Sequence, residues 1–157
     1  MIEIRGLTKR YGPLTAVDNL WLTVERGDAM GFIGPNGAGK TTTIRMLATL
    51  LKPDAGTASV SGHDIQRQPD EVRGKLGYMP DFFGVYEDMM VWEYLDFFAA
   101  AHCVPRSRRP GLISDVLELT DLGHRRDDSV NSLSRGMKQR LCLAKTLVHD
   151  PDVLLLD

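Results

Sequence analysis

The chain has 157 residues, of which 43% are hydrophobic and 25% charged, and its formal net charge is −2. This length and composition are those of a globular protein with room for one full hydrophobic core. The slight negative charge lacks the basic excess typical of nucleic-acid-binding domains, so we expect no nucleic-acid partner.

The compartment follows from what the sequence does not contain. No apolar run approaches the roughly 20 residues that cross a bilayer, and the first residues lack the layout of a signal peptide. Two cysteines are too few for a disulfide framework. We therefore expect a cytoplasmic protein, whose membrane role, if it has one, comes through a partner chain.

The N-terminal part is predicted to form an antiparallel β layer. Apolar and polar residues alternate over 2–5, and Gly6 is expected to end this first strand. Gly and Pro mark a turn at 9–13, and a second, loosely alternating strand follows at 16–24. The short apolar run at 29–33 predicts a buried strand.

The remaining pattern alternates strands with helices. Helical periodicity over 91–102 and 112–119 predicts a helical insertion within a single domain over 1–157, from about Tyr86 to Ser129. The other predicted features are strands at 57–61 and 153–157, a short helix at 69–75, an apolar run at 77–79 that Pro80 stops, and a solvated basic loop at 105–110.

A glycine-rich loop joins the predicted strand at 29–33 to a predicted helix at 42–51. Residues 34–41 read GPNGAGKT and match the phosphate-loop pattern G-x-x-x-x-G-K-[ST] at every fixed position. A strand, a glycine loop and a helix in this order direct backbone N–H groups and a helix N-terminus at a phosphate. The sequence therefore predicts an α/β fold with a P-loop NTPase core.

The loop and the last strand together predict a nucleotide and metal site. Lys40 brings a positive charge to the β- and γ-phosphates, and the Thr41 hydroxyl is placed to ligate Mg²⁺. Asp157 stands at the end of an apolar strand, and from that position its carboxylate can reach the same metal. An acid after an apolar run is common, so this role depends on the loop upstream. The predicted nucleotide ligands are Gly34, Asn36, Gly37, Ala38, Gly39, Lys40 and Thr41.

A second motif indicates which class of P-loop NTPase the sequence resembles. Residues 133–140 read LSRGMKQR and resemble the L-S-G-G-Q signature of ATP-binding cassette (ABC) ATPases, with Arg135 and Met137 replacing a glycine and the glutamine. Such variants occur in the drug- and polysaccharide-export branch of that family. Ser134 is a good helix N-cap, and a helix N-terminus that carries Ser134 and Gly136 is an anion site.

The resemblance implies further site residues. Tyr11 is similar in position to the aromatic residue that stacks on adenine, and Thr42 to the residue that supports the α-phosphate. Asp81 stands where the family has a glutamine that senses the γ-phosphate, touches Mg²⁺ and couples to the membrane subunit. An aspartate keeps an oxygen ligand, but it is shorter and charged.

The resemblance also implies partners and a reaction. Two such domains pair head to tail, so that ATP lies between the 34–42 loop of one and the 134–136 segment of the other. The pair is expected to hydrolyse MgATP with Lys40 and Asp157 as catalytic residues. A transmembrane permease is expected to hold it on the inner face of the cell membrane, where it drives export.

Two family positions, a catalytic glutamate and a switch histidine, would follow Asp157. We therefore expect the sequence to be the N-terminal part of an ATPase domain, with little hydrolysis by itself. One alternative is a soluble ABC ATPase acting in DNA repair or translation. Another is a GTPase or small-molecule kinase, although the guanine-reading Asn-Lys-x-Asp pattern is absent from the sequence.

Overall fold

The computed structural model describes residues 1–81, 84 and 88–157. They form two compact units: residues 1–78 with 152–155 and 157, and residues 79–151 with 156. A single domain with a helical insertion from about Tyr86 stays a prediction, and Tyr86 lies outside the described residues. The α/β fold class is confirmed by the mixture of sheets and helices.

The first unit is built on a four-stranded sheet in the order β2-β1-β3-β4, with antiparallel neighbours throughout. The strands are β1 (Ile2–Tyr11), β2 (Leu14–Val24), β3 (Ala55–Val60) and β4 (His63–Asp64). This sheet confirms the predicted β layer.

Strand β1 differs from the prediction at Gly6. The strand continues through this glycine, which has φ 63°, and its register with both neighbouring strands shifts close by. Glycine takes this conformation without steric cost, so the strand passes through Gly6 with only a local irregularity in its pairing. The prediction that Gly6 ends the strand is therefore wrong.

Two helices pack with this sheet, α1 (Lys40–Leu47) and α2 (Pro69–Lys75). Helix α2 has the predicted bounds, with Pro69 in its first turn. Helix α1 is shorter than predicted, and Leu50 beyond its end is 62% exposed. The buried core of this unit comprises Ile2, Ile4, Leu7, Val17, Met46, Leu47, Ala48, Ala58, Val60, Ile65, Val72, Leu76 and Leu155.

A separate two-stranded sheet pairs β5 (Leu76–Met79) with β6 (Val153–Leu156). Strand β6 was predicted, and β5 contains the apolar run noted at 77–79. Only Leu155 of β6 is buried, and Leu154 and Leu156 are exposed. The continuous apolar run of β6 therefore does not correspond to burial on both faces.

The predicted strand at 29–33 is absent. These residues have no strand conformation, and within the described residues no strand pairs with them. Ile33 is 97% exposed and Met30 52%. A strand needs hydrogen-bonding neighbours, and an apolar run does not supply them. The prediction of a buried strand is wrong for this reason.

The second unit is helical, with α3 (Val91–Ala101), α4 (Arg109–Leu119) and α5 (Arg135–Leu147) around one core. Short 3₁₀ turns lie at Gly123–Arg125 and Val130–Ser132. Helix α4 starts earlier than predicted, because Arg109 and Pro110 of the basic loop form its first turn. The buried core of the second unit comprises Val91, Tyr94, Leu95, Ala99, Val104, Ile113, Val116, Leu117, Leu122, Val130, Leu133, Leu141, Ala144 and Val148.

Candidate functional site

The backbone of the phosphate loop depends on two glycines. Gly37 and Gly39 both have φ 83°, a conformation that side chains with a Cβ rarely adopt. A Cβ on Gly39 would also lie 2.2 Å from the carbonyl oxygen of Ala16 in β2. Gly39 is therefore required both by its own dihedral angle and by the strand against which the loop packs.

Helix α1 begins directly after this glycine, and no side chain caps it. Gly39 is the N-cap residue, and its carbonyl accepts both the Thr43 N–H at 2.8 Å and the Thr43 hydroxyl at 2.9 Å. The N–H groups of the first turn then point out of the helix, at the positive end of its dipole. Such an end binds phosphate.

The remaining loop residues complete a short turn in front of the helix. The Ala38 N–H donates to the carbonyl oxygen of Pro35 at 3.2 Å, Asn36 is exposed, and Gly34 and Thr42 are partly buried. Residues 34–39 thus form a compact turn directly before the first turn of α1. Which of its groups touch a nucleotide stays a prediction.

The ammonium group of Lys40 lies back on its own loop. Its Nζ donates to the carbonyl oxygens of Gly34 at 2.6 Å and Pro35 at 2.8 Å. Both acceptors are neutral, and none of the described carboxylates forms an ion pair with it. The charge of Lys40 is therefore held at the loop without being neutralised, which suits it to an anionic ligand.

The structure brings the two predicted metal ligands of this unit together. The Thr41 hydroxyl donates to the Asp157 carboxylate at 2.8 Å, although the two residues are far apart in the sequence. Mg²⁺ prefers oxygen ligands and binds through one or two carboxylates plus phosphates and water. In the described part of the chain, no three His, Cys, Asp or Glu side chains are grouped so that they could hold a metal ion by themselves. This oxygen pair therefore fits Mg²⁺ held together with a nucleotide.

Tyr11 lies at the end of β1, and its side chain is 48% exposed. The Lys9 ammonium lies over its ring, 5.8 Å from the centroid, and pairs with the Asp54 carboxylate at 3.0 Å. Sequence analysis found Tyr11 but missed Lys9 and Asp54. Asp54 is distant in the sequence, within a turn that gave no sign of contacting β1.

Three predicted site residues belong to the second unit. Ser134 is the N-cap of α5, and its hydroxyl accepts the Met137 N–H at 3.3 Å, which confirms the predicted cap. Gly136 has nothing within 4 Å of an added Cβ. Asp81 is exposed. The roles of Ser134 and Gly136 in binding, and of Asp81 at the metal, stay predictions.

Comparison with known proteins gives consistent matches. A family model described as ABC transporter matches residues 17–157. The Nod factor export ATP-binding protein I of Ralstonia nicotianae is 42% identical over 100% of this chain and 49% of that protein. A probable multidrug ABC transporter ATP-binding protein of Escherichia coli K12 is 45% identical over 100% of this chain and 28% of that protein.

A solved structure has the same fold. The cbiO1 protein from Clostridium perfringens, described as part of the ABC transporter complex cbiONQ, superposes with a TM-score of 0.86 and 25% sequence identity. The match covers 99% of this chain and 64% of that one. The chain thus spans about half the length, or less, of the two relatives above. Within the described ranges, no helix is both long and apolar enough to cross a membrane.

Proposed function

Since the chain belongs to the ABC transporter family, we propose that it binds MgATP and supplies the ATP-hydrolysing part of an exporter. The observation that carries this proposal is the phosphate loop. It combines an uncapped helix N-terminus with the unneutralised ammonium of Lys40 and the oxygen pair of Thr41 and Asp157. These are the groups that a nucleoside triphosphate and its metal ion require.

In this proposal each part of the loop has a separate task. The backbone N–H groups of the loop and of the first turn of α1 hold the phosphates, and Lys40 offsets the negative charge that the γ-phosphate carries in the transition state. Thr41 and Asp157 hold Mg²⁺, and Tyr11 stacks on the adenine ring. A Mg²⁺ ion held by Thr41 and Asp157 would offset part of the negative charge of the phosphates.

The proposal also includes two partners. A second nucleotide-binding domain presents its Ser134 and Gly136 to the ATP held by the loop of the first. A transmembrane permease then holds the pair of domains at the inner face of the membrane. Asp81 couples this permease to nucleotide binding. The names of both relatives describe transport proteins, one for Nod factor export and one for multidrug transport. Those names favour an exporter over a soluble ATPase in DNA repair or translation.

Affinity capture from detergent-solubilised membranes tests the transport assignment. We expect the intact protein, used as bait with MgATP present, to recover an integral membrane protein with it. A Gly39→Ala bait, whose loop cannot keep its backbone conformation, is expected to recover less. If the intact bait recovers no membrane protein, the exporter assignment is wrong. That result would not contradict ATP binding by the chain.

A further inference from the structure

Asp54 joins the turn after α1 to the last residues of β1. Its Oδ2 accepts the backbone N–H of Arg10 at 2.6 Å, and its Oδ1 accepts the Lys9 ammonium at 3.0 Å. Its own N–H donates to the carbonyl oxygen of Thr8 at 2.9 Å. One residue is therefore bonded to three consecutive residues that lead directly to Tyr11.

These bonds take the place of backbone pairing between β1 and β3, beyond the last regular pair of those two strands. The pairing of β1 with β3 ends at Thr8 and Ala55, and on the β2 side the register is irregular on both sides of Lys9. Beyond Thr8 the N–H of Arg10 goes to the Asp54 carboxylate instead of a backbone carbonyl. On the β3 side the end of β1 is therefore held by the Asp54 side chain, while Arg10 and Tyr11 remain paired with Thr15 and Leu14 of β2.

The Lys9 ammonium connects this carboxylate with the tyrosine ring. The Lys9 side chain is only 13% exposed, and its Nζ lies over the ring of Tyr11, 5.8 Å from the centroid. That distance is within the range of a cation–π contact. Tyr11 as a residue is 48% exposed, so the ring face opposite the cation is the one that we expect a ligand to meet.

The carboxylate is charged whenever the protein is near neutral pH. The hydrogen bond from the Arg10 N–H and the one from the Lys9 side chain hold the pKa of Asp54 below its ordinary value of 3.8. Asp54 is therefore ionised, and can accept both hydrogen bonds, in the conditions under which a nucleotide would bind.

We propose that Asp54 is a positioning residue for the nucleotide base. Through Arg10 and Lys9 it fixes the end of β1, so that Tyr11 presents one face of its ring at a set angle for stacking on adenine. This inference rests on the proposed function, in which Tyr11 stacks on the base. Asp54 itself touches no part of the nucleotide.

The test compares a ligand that carries adenine with one that does not. Calorimetry with the intact protein measures the affinity for ATP and for inorganic tripolyphosphate, both with Mg²⁺. We expect Asp54→Ala to weaken ATP binding about tenfold, and Asp54→Asn or Lys9→Met about threefold. Tripolyphosphate affinity is expected to stay unchanged in all three. The exposed α2 carboxylate provides a charge-matched control, because Glu71→Gln should alter neither affinity.

A background without the ring shows whether Asp54 acts through Tyr11. With Tyr11→Ala already in place, adding Asp54→Ala should cost less than about twofold in ATP affinity. Thermal melting confirms that each variant is folded, and Asp54→Asn keeps an acceptor for the Arg10 N–H if Asp54→Ala melts too early.

The outcomes separate this inference from the proposed function. If Tyr11→Ala weakens ATP binding but no folded Asp54 variant does, the positioning role is wrong and the proposed function stands. Equal losses for ATP and tripolyphosphate would also overturn it, since Asp54 would then act on the phosphate loop. If Tyr11→Ala leaves ATP affinity unchanged, the base contact and the role of Asp54 fall together.

Discussion

Two helix N-termini carry the candidate chemistry, and they are built differently. Helix α1 follows Gly39, whose φ is 83°, and has no side-chain cap. Helix α5 follows Ser134, whose hydroxyl accepts the Met137 N–H at 3.3 Å. Each helix has a cation at its first position, Lys40 or Arg135, and no acid in its first turn. The charge at the two helix starts is thus similar, whereas their hydrogen-bonding state is not.

This difference indicates how each end can take an anion. The α1 end has free N–H groups, and the Thr41–Asp157 oxygen pair lies in the same unit, so most of a phosphate and metal site is present in one chain. At the α5 end Ser134 already occupies one N–H of the first turn. A phosphate that binds there has to share this N–H with the Ser134 hydroxyl or displace it. This end therefore suits a second contact to a phosphate that is already bound at another site.

The two glycines that accompany these helices should respond in opposite ways to one added methyl group. We expect Gly39→Ala to lower the free energy of unfolding by roughly 2–4 kcal/mol, because its Cβ meets a backbone carbonyl and its φ is strained. Gly136→Ala should raise it by about 0.5–1 kcal/mol, since alanine favours the helix and the space is open. Urea unfolding measures both, and a similar change at the two sites would contradict the comparison.

Thr41 is expected to matter only when metal is present. Without its hydroxyl the metal loses one oxygen ligand, so Thr41→Ala should reduce Mg²⁺-dependent ATP affinity about tenfold. Thr41→Ser keeps the hydroxyl and is the matched control. Calorimetry with MgCl₂ and with EDTA separates the two contributions. An equal loss with and without metal would remove Thr41 from the metal site.

Ser134 should contribute to stability as a cap whether or not a nucleotide is present. Ser134→Ala leaves the Met137 N–H without its acceptor and is expected to cost about 1 kcal/mol, whereas Ser134→Asn retains a capping oxygen. Thermal unfolding without ligand should fall by roughly 2–4 °C for alanine only. Identical melting of both variants would show that the α5 end does not depend on its serine.

The smallest expected effect is on the pH dependence of the helical unit. Although His102 is an exposed residue, partial desolvation of its ring, and secondly the positive charge of Lys145, hold its pKa below its ordinary value of 6.5. Its ring stacks on His149 with centroids 3.8 Å apart. The neutral imidazole is favoured in the fold, so its contribution is complete above about pH 6.5 and is lost as pH falls through the lower folded value.

Melting temperatures between pH 7.5 and 5.5 measure this contribution. Parent protein should lose stability on acidification, and His102→Gln should lose less, because it cannot take up the proton. A parent-like slope for His102→Gln would show that another group accounts for the acid sensitivity.

Features set by neighbouring residues could be predicted from the sequence. Helix α2 has the predicted bounds, because Pro69 starts it, acids follow in its first turn and basic residues end it. The cap on α5 was predicted from Ser134 and the periodicity after it. The glycine loop was identified from its spacing, and its two glycines at positive φ fit the local reason for that spacing.

Features set by distant pairing could not be predicted. Residues 29–33 have the composition of a strand, yet no described strand pairs with them. Strand β1 passes through Gly6 because neighbours on both sides accommodate a shift in register. The contacts of Asp54 join the turn after α1 to β1, which no local pattern indicates. For Gly6 and Asp54 the deciding contacts come from other strands and turns, and for residues 29–33 the pairing that a strand needs is missing among the described residues.

The central claim is that the α1 end holds the phosphates of ATP. Calorimetry of MgATP binding to the parent protein, Lys40→Ala and the exposed Lys52→Ala tests it most directly. We predict a loss of about 30-fold or more for Lys40→Ala, because a charge-assisted contact with the β- and γ-phosphates disappears, and no change for Lys52→Ala. Equal affinity of Lys40→Ala and the parent protein would contradict the account.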